Sequence, residues 1–496
     1  MSDKIQRDII EQGDFKNDQA TECSINPPKF RKAVYLSAIV AAVGGFICGY
    51  DTGAVTGITA MPLFQSNFFT EDNIDYLQGL LFALYLMTAA IGAFFSGYLC
   101  DRFSRKYSII GASAVFSFGI LLQIIGVNFG ILLAGRIVGG FGSGLMTNAI
   151  PLYHSEISPP DIRGRLISFF TLMATFGQVV AYFVTFGTSY VDSNWSWRGP
   201  WLIHLVCCVL FGVIITTLPF SPRWLIDKGR YEEAKQVLIE LHQVPGNHPL
   251  VTEEYNNIVA EIEFERSLGK RTYIELFQGT NRKRTYIAFF VSISTSFTGS
   301  VAISYYIPQI FQNAGLVGSS ASIATTGGTG LLSLLVAFIC LQYFIDRWGR
   351  RFVFLLGASV MGISMFIVGA MFQAYTVVNV ETYDVAITNH YARNTIIAFL
   401  YIFTAAYAFS WGIASYVYPA EIFNMRTRGK GLALTYGLNW AFSILITYCV
   451  PLFLAHTVSG VYFFFGACCC VCFIGCCFIP ETKGKTLEEM EILFGN

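Results

Sequence analysis

Charge is what this sequence has least of. Only 13% of its 496 residues are Asp, Glu, Lys or Arg, about half of what a soluble chain carries, and this excludes an ordinary water-soluble enzyme. Nor is there an excess of either sign: 32 basic residues face 32 acidic ones, so the basic stripe that a nucleic-acid partner requires is missing. His-Glu-x-x-His and Gly-x-Ser-x-Gly are both absent and the six histidines are scattered, which leaves an intramembrane enzyme, a metal or an organic cofactor without support. His154 is read as an interfacial residue rather than a base. Residues 1–30 hold no apolar segment of signal-peptide type, so the first long apolar run is read as the targeting element. Cysteine is not scarce, but nine of the 13 (Cys207, Cys208, Cys449, Cys468, Cys469, Cys470, Cys472, Cys476 and Cys477) lie in apolar runs. There they read as small hydrophobes, not as a disulfide framework.

In place of charge stand 54% hydrophobic and 16% aromatic residues, with a mean hydropathy of +0.53. Lipid is the solvent that suits such a chain. A helix crossing a bilayer needs about 20 mostly apolar residues. Twelve such runs occur, near 33–57, 76–100, 107–127, 129–153, 166–190, 200–219, 285–313, 321–345, 352–375, 395–420, 431–455 and 458–479. The expectation is an all-α membrane protein: an N-terminal tail (1–32), a six-helix bundle (33–219), a helical linker (220–284), a second six-helix bundle (285–480) and a C-terminal tail (481–496). In the linker, Tyr231, Ala234, Val237, Leu238 and Leu241 recur at helical spacing between polar residues. An even number of spans puts both termini on one side. Lys and Arg are retained in the cytoplasm, and with both termini there only Arg198, Arg393 and the intramembrane Arg136 of the 32 basic residues lie elsewhere. The reading is therefore cytoplasmic termini, with Asn194-Trp195-Ser196 as a glycosylation sequon on the outer face; the plasma membrane is taken as the location, with the vacuolar membrane left open.

Two features carry chemistry. Asp101-Arg102-Phe103-Ser104-Arg105 follows the second run and Asp346-Arg347-Trp348-Gly349-Arg350 the eighth, an offset of six spans that marks a duplicated architecture. Such loops set cations and a carboxylate at one end of neighbouring helices, where Glu156 and Glu421 can accept charge-assisted hydrogen bonds across the two halves. The plainer alternative is a solvated cluster that only sets topology. The second feature is Asp51 with Arg136. A charge at the bilayer centre costs about 2.5–3.5 kcal/mol, so each needs a partner or a function. Asp51 stands roughly two-thirds along its helix and Arg136 about two turns into another, both taken to run outward. The glycines from Gly135 to Gly144 are read as close helix packing.

Around these lie Gly49-Tyr50-Asp51-Thr52-Gly53, Gly135-Arg136, Pro151-Leu152-Tyr153-His154-Ser155-Glu156 leading to Arg163-Gly164-Arg165, and Ser221-Pro222-Arg223-Trp224-Leu225. Tyr418-Pro419-Ala420-Glu421-Ile422-Phe423 and Pro480-Glu481-Thr482-Lys483-Gly484 complete the set. In this order, over residues 33–490, the chain resembles the sugar porter family of the major facilitator superfamily, its fungal members in particular. The resemblance implies a monomer that moves a sugar, polyol or related small polar solute by alternating access, without a cofactor. It implies a cytoplasmic gate of Asp101, Arg102, Arg105, Glu156, Arg163, Arg165, Arg223, Asp346, Arg347, Arg350, Glu421 and Glu481. Phe220 stands where the family has a Glu, and Ser104 and Gln342 replace loop glycines, so the N-terminal side of that gate is expected to be weaker. For Asp51 and Arg136 the resemblance implies proton coupling, protonation of the acid breaking the pair. Facilitators without coupling carry the same Asp, so symport and facilitated diffusion both stay open.

The family grips a sugar with amides and an aromatic platform, and here the correspondence thins. The span-five Gln is Thr171, the span-seven Gln pair is Thr295 and Ser296, the span-seven Asn is Val301, the span-ten aromatic is Tyr416, and the later span-eleven Asn is Ser443. Only Gln178, Asn439 and Trp440 match outright. Hydroxyls cannot hold two sugar hydroxyls as an amide does, and a buried polar group left without its partner costs about 1–3 kcal/mol. A larger or less hydroxylated solute than a hexose is therefore expected. Helix–helix hydrogen bonding is the alternative for each of these residues. A nutrient sensor of the same fold is the rival function, and the 16 residues after Pro480 are short beside the long tails of such sensors.

Overall fold

The computed structural model describes residues 32–69, 74–159, 162–267, 272–316, 319–378, 385–387, 389–483 and 494. The N-terminal tail before Lys32 and most of the C-terminal tail lie outside the described residues. Among those residues, twelve helices are long and apolar enough to cross a membrane. In order, spans one to six are Lys32–Thr59, Tyr76–Phe103, Arg105–Ile125, Phe129–Ile157, Gly164–Thr188 and Trp195–Ile215. Spans seven to twelve are Gly279–Asn313, Ala321–Phe344, Arg350–Tyr375, His390–Ile422, Arg426–Val450 and Val458–Cys476. Among the described residues, three shorter α-helices, Pro222–Asp227, Tyr231–His242 and Pro249–Ser267, and a 3-10 turn, Ile274–Phe277, lie between spans six and seven. The α-helices close on a small core of their own, in which Trp224, Leu225, Ile226, Ala234 and Ile262 are buried, as the apolar spacing in 231–241 requires.

One element departs from the helical expectation. Thr376–Val378 pairs antiparallel with Val385–Ile387 between spans nine and ten. Its strands are three residues each, rich in β-branched side chains, and a search for runs of about 20 apolar residues passes over so short a ladder.

Two spans are interrupted. Span seven breaks into Gly279–Phe297 and Ser300–Asn313 at Gly299, whose φ of +81° suits a residue without a Cβ. Span ten breaks into His390–Phe409 and Trp411–Ile422 at Ser410. Elsewhere the helices approach through small residues, since lipid provides no hydrophobic drive for helix association. A Cβ on Gly49 of span one would stand 1.8 Å from the Ala174 carbonyl oxygen of span five. Spans one and four meet through the pairs Ala38 with His154, Gly44 with Ile150, Cys48 with Ser143 and Asp51 with Arg136. One number rises as the other falls, so the two helices are antiparallel. This corrects the expectation that both run outward, and opposite directions bring Asp51, late in its helix, level with Arg136, early in its own.

Candidate functional site

The deepest charges in the molecule are those expected. Asp51 and Arg136 are fully buried, with Arg136 Nη1 donating to Asp51 Oδ2 at 2.6 Å. The guanidinium lies over the Tyr85 ring of span two at 4.0 Å, a cation–π contact. Removing one partner of such a pair strands the other, at a cost of about 3–5 kcal/mol. A third member was missed by sequence reasoning: His204 of span six, fully buried, brings Nδ1 to 3.9 Å from Asp51 Oδ1. Its signal was present in retrospect as the one histidine in the apolar middle of span six, but helical spacing cannot say which neighbour a lone residue faces. His154 departs from its interfacial reading. It is buried, with Nε2 2.9 Å from the Ala38 carbonyl, because span one covers this face of span four.

The expected pocket residues fall into two groups. Thr295, Ser296 and Ser443 are buried, and their hydroxyls serve the helices. Thr295 bonds the Val291 carbonyl at 2.8 Å, while Ser296 donates to the Asn439 carbonyl at 2.9 Å and meets Ser443 Oγ at 3.0 Å. Thr171, Gln178, Val301, Tyr416, Asn439 and Trp440 are half-buried. Asn439 Nδ2 donates to the Ser292 carbonyl at 3.0 Å and to Ser296 Oγ at 3.2 Å, while its Oδ1 has no partner among the described residues. Gln178 Nε2 donates to Tyr182 Oη at 2.7 Å, and the Thr171 hydroxyl is enclosed without a partner among the described residues. The Tyr416 ring sits 6.3 Å from Phe170 of span five and 5.2 Å from Tyr436 of span eleven. Span ten thus meets spans five and eleven through Tyr416, and span eleven meets span seven through Asn439.

The two halves touch at both ends of the bundle. At the end without the Asp-Arg loops, Tyr305 stacks on Phe82 at 4.5 Å and Gln309 Nε2 donates to Gln78 Oε1 at 2.9 Å. At the loop end, three ion pairs lie within halves. Arg105 bonds Glu156 at 2.7 Å and approaches Asp101 at 3.3 Å; Arg350 bonds Glu421 at 2.8 Å. Cross-half proximity comes from span five, where a Cβ on Gly164 would stand 3.9 Å from Glu421 Oε1. Arg223 bonds Glu261 of the linker at 2.9 Å, Arg102 bonds Tyr98 Oη at 2.7 Å, and Arg165 and Arg347 are exposed. The side chains of Arg163 and Asp346 lie outside the described residues.

The half-repeats end differently. Glu481 accepts the backbone N–H groups of Arg350 at 2.9 Å and Arg351 at 3.0 Å, capping span nine from the far end of the chain. A Cβ on Gly349 would stand 2.6 Å from Glu481 Oε2, so carboxylate and glycine go together. The first half has neither. Ser104, at φ +96°, caps span three itself by accepting Tyr107 N–H at 3.2 Å, and Phe220 takes the Lys106 ammonium at 4.9 Å and the Arg230 guanidinium at 5.5 Å over its ring. A self-cap and cation–π contacts stand where the carboxylate is missing. Asn194 is exposed, while Ser196 of its sequon is buried.

A paired-charge core within twelve spans in two six-span sets narrows the families open to this chain, and the comparisons decide among them. The family model described as "Sugar (and other) transporter" matches residues 37–494. The chain belongs to the sugar porter family. Sugar porter relatives include a probable quinate permease of Aspergillus fumigatus, 31% identical over 93% of this chain and 87% of the relative. The sugar transport protein MST7 of rice is 31% identical over 95% of this chain and 93% of its own. Among solved sugar porters, the proton:xylose symporter XylE bound to 6-bromo-6-deoxy-D-glucose superposes with a TM-score of 0.78 at 26% identity, covering 93% of this chain and 99% of that one. The inward-open form of XylE from E. coli gives 0.71 at 26% identity, over the same shares. A sugar porter is a multi-pass membrane transporter and not an enzyme.

Proposed function

We propose that this sugar porter is a monomeric secondary transporter that moves a small, ring-shaped, hydroxylated solute by alternating access, with symport of protons through Asp51 and Arg136. The observation that carries the reading is the meeting of span ten with spans five and eleven at Tyr416 and of span eleven with span seven at Asn439, with Gln178 and Trp440 half-buried in spans five and eleven. These offer a few amide groups and an aromatic platform, which is what a polar ring with one less polar face needs. Because the Ser296 and Ser443 hydroxyls are engaged with each other, fewer groups remain for the solute than a fully hydroxylated hexose requires. Thr171 and Val301 complete the wall, and Thr295, Ser296 and Ser443 support it from behind. Arg105, Glu156, Arg350, Glu421 and Glu481 hold the helix ends of a cytoplasmic gate, with both termini inside, the 220–284 linker joining the two bundles, and the plasma membrane as location. XylE is named as a proton symporter, which supports coupling; the quinate permeases support a solute poorer in hydroxyls than a hexose. Uptake of labelled D-glucose, D-xylose, a hexitol and quinate in a transporter-null host, with and without a protonophore, tests it. Failure of the whole panel refutes the substrate class, and uptake indifferent to the protonophore refutes symport.

A further inference from the structure

Asp51 divides its carboxylate between two neighbours. Oδ2 takes the hydrogen bond from Arg136, and Oδ1 is enclosed with no hydrogen-bond partner among the described residues. The polar atom beside Oδ1 is His204 Nδ1, at 3.9 Å, which is likewise enclosed and without a hydrogen bond. The other ring nitrogen, Nε2, lies 3.0 Å from the Ile47 carbonyl oxygen. A carbonyl only accepts, so Nε2 carries the ring proton and Nδ1 presents a bare lone pair. Tyr50 at 5.0 Å and the edge-on ring of Phe116 at 5.3 Å hold the imidazole in this orientation. Two acceptors therefore face each other across a gap too long for a hydrogen bond. A single proton satisfies both.

We propose that Asp51 Oδ1 and His204 Nδ1 together form the proton-binding site of this transporter, the proton residing on Oδ1 and donated to Nδ1. This rests on the reading of the protein as a proton symporter. A hydronium ion gives its proton to Oδ1, an O–H bond forms, water leaves, and no electrons change hands; the charge of the Asp51, Arg136 and His204 cluster rises from zero to one. The hydrogen bond so made shortens the gap from 3.9 Å to about 2.8 Å, drawing spans one and six together by about 1 Å. The same proton removes the negative charge that holds Arg136, so one event loosens span one from span four and fastens it to span six. The other titratable or charged groups facing the pair are Arg136 of span four, Tyr85 of span two and Tyr305 of span seven. Cys48 and Tyr50 of span one and Cys207 and Cys208 of span six complete the surroundings. Arginine is a permanent cation, and tyrosine and cysteine stay neutral at and below neutral pH, so the exchanging pair is Asp51 with His204.

The test uses the purified full chain and protons as the only ligand. Infrared difference spectra between pH 8 and pH 4 should show a protonated-carboxyl stretch that is absent in Asp51→Asn, together with a change in histidine ring modes at the same midpoint. In His204→Gln and His204→Phe, checked for monodispersity and helix content, the carboxyl midpoint should move to lower pH by about one unit, a tenfold loss of proton affinity. A midpoint that stays in place in either folded variant overturns the proposal. Should neither variant fold, the wild type decides, because a carboxyl signal without a concurrent histidine change also overturns it. Failure of the symport reading looks different: it is protonophore-insensitive uptake of the solute panel, or no carboxyl signal in the wild type at any pH in the range.

Discussion

Asn439→Ala separates what holds two helices together from what holds the solute. In the wild type its amide nitrogen makes two bonds to span seven, to the Ser292 carbonyl and the Ser296 hydroxyl. Interhelical hydrogen bonds in membranes contribute about 0.6 kcal/mol each and at most about 1.7, so the loss of both lowers stability by about 1–3 kcal/mol. The amide oxygen has no partner among the described residues, and the side chain is half-buried. If it accepts one solute hydroxyl, removing it forfeits about 0.5–1.5 kcal/mol, a rise in KM of about two- to thirteen-fold. Ser296→Ala supplies the contrast. Its hydroxyl donates to the Asn439 carbonyl, accepts from the Asn439 amide and meets Ser443, yet the residue is 1% exposed and reaches no solute. It should lower abundance about as much as Asn439→Ala while moving KM by less than about twofold. Radiolabelled uptake normalised to surface abundance measures both. Equal KM effects in the two variants, or a KM for Asn439→Ala within about twofold of wild type, would refute this division of labour.

The remaining predictions follow from other contacts. Arg136→Ala and Asp51→Asn should each reduce folded protein in the membrane, Arg136→Ala by the larger margin because it strands a carboxylate in a fully buried site at about 3–5 kcal/mol; equal yields by fluorescence size-exclusion would contradict this. Glu481→Ala removes charge-assisted bonds to two N-terminal amides of span nine and should speed heat aggregation in detergent by roughly tenfold, whereas Ser104→Gly, which loses a cap and relieves a positive φ together, should change it little. Glu275 of the linker is held down to about 2 by the Arg426 guanidinium, which bonds it at 2.7 and 3.1 Å. A lowered acid stabilises the fold above its usual 4.5, and the contribution fades as pH falls toward 2. Melting temperature measured against pH should therefore drop over that window in the wild type and lose much of the drop in Arg426→Gln. Single cysteines beside Asn194 and within 240–250 should be labelled by an impermeant reagent from outside and from inside respectively, and the reverse pattern would invert the topology.

What the sequence by itself determined is everything that depends on composition and period. Twelve spans are legible because each must be about 20 apolar residues long to satisfy its backbone within lipid, and span one and span nine were placed within two residues of their observed starts. The linker helix at Tyr231–His242 is legible from its apolar spacing, and Asp51 with Arg136 from the cost of burying either charge alone. Tertiary structure decided what depends on which faces meet. Antiparallel packing of spans one and four levels the ion pair, and the approach of span six makes His204 its neighbour. Ser296, Asn439 and Ser443 bond to one another rather than standing apart as separate ligands. Arg105 pairs with Glu156 and Arg350 with Glu421 because both arginines lie at helix starts beside carboxylates of their own bundles. The physical reason is common to all of these: helical period fixes a residue's direction around its own axis, while hydrogen bonds and ion pairs are decided at separations near 3 Å between helices whose rotation and height the chain does not encode locally.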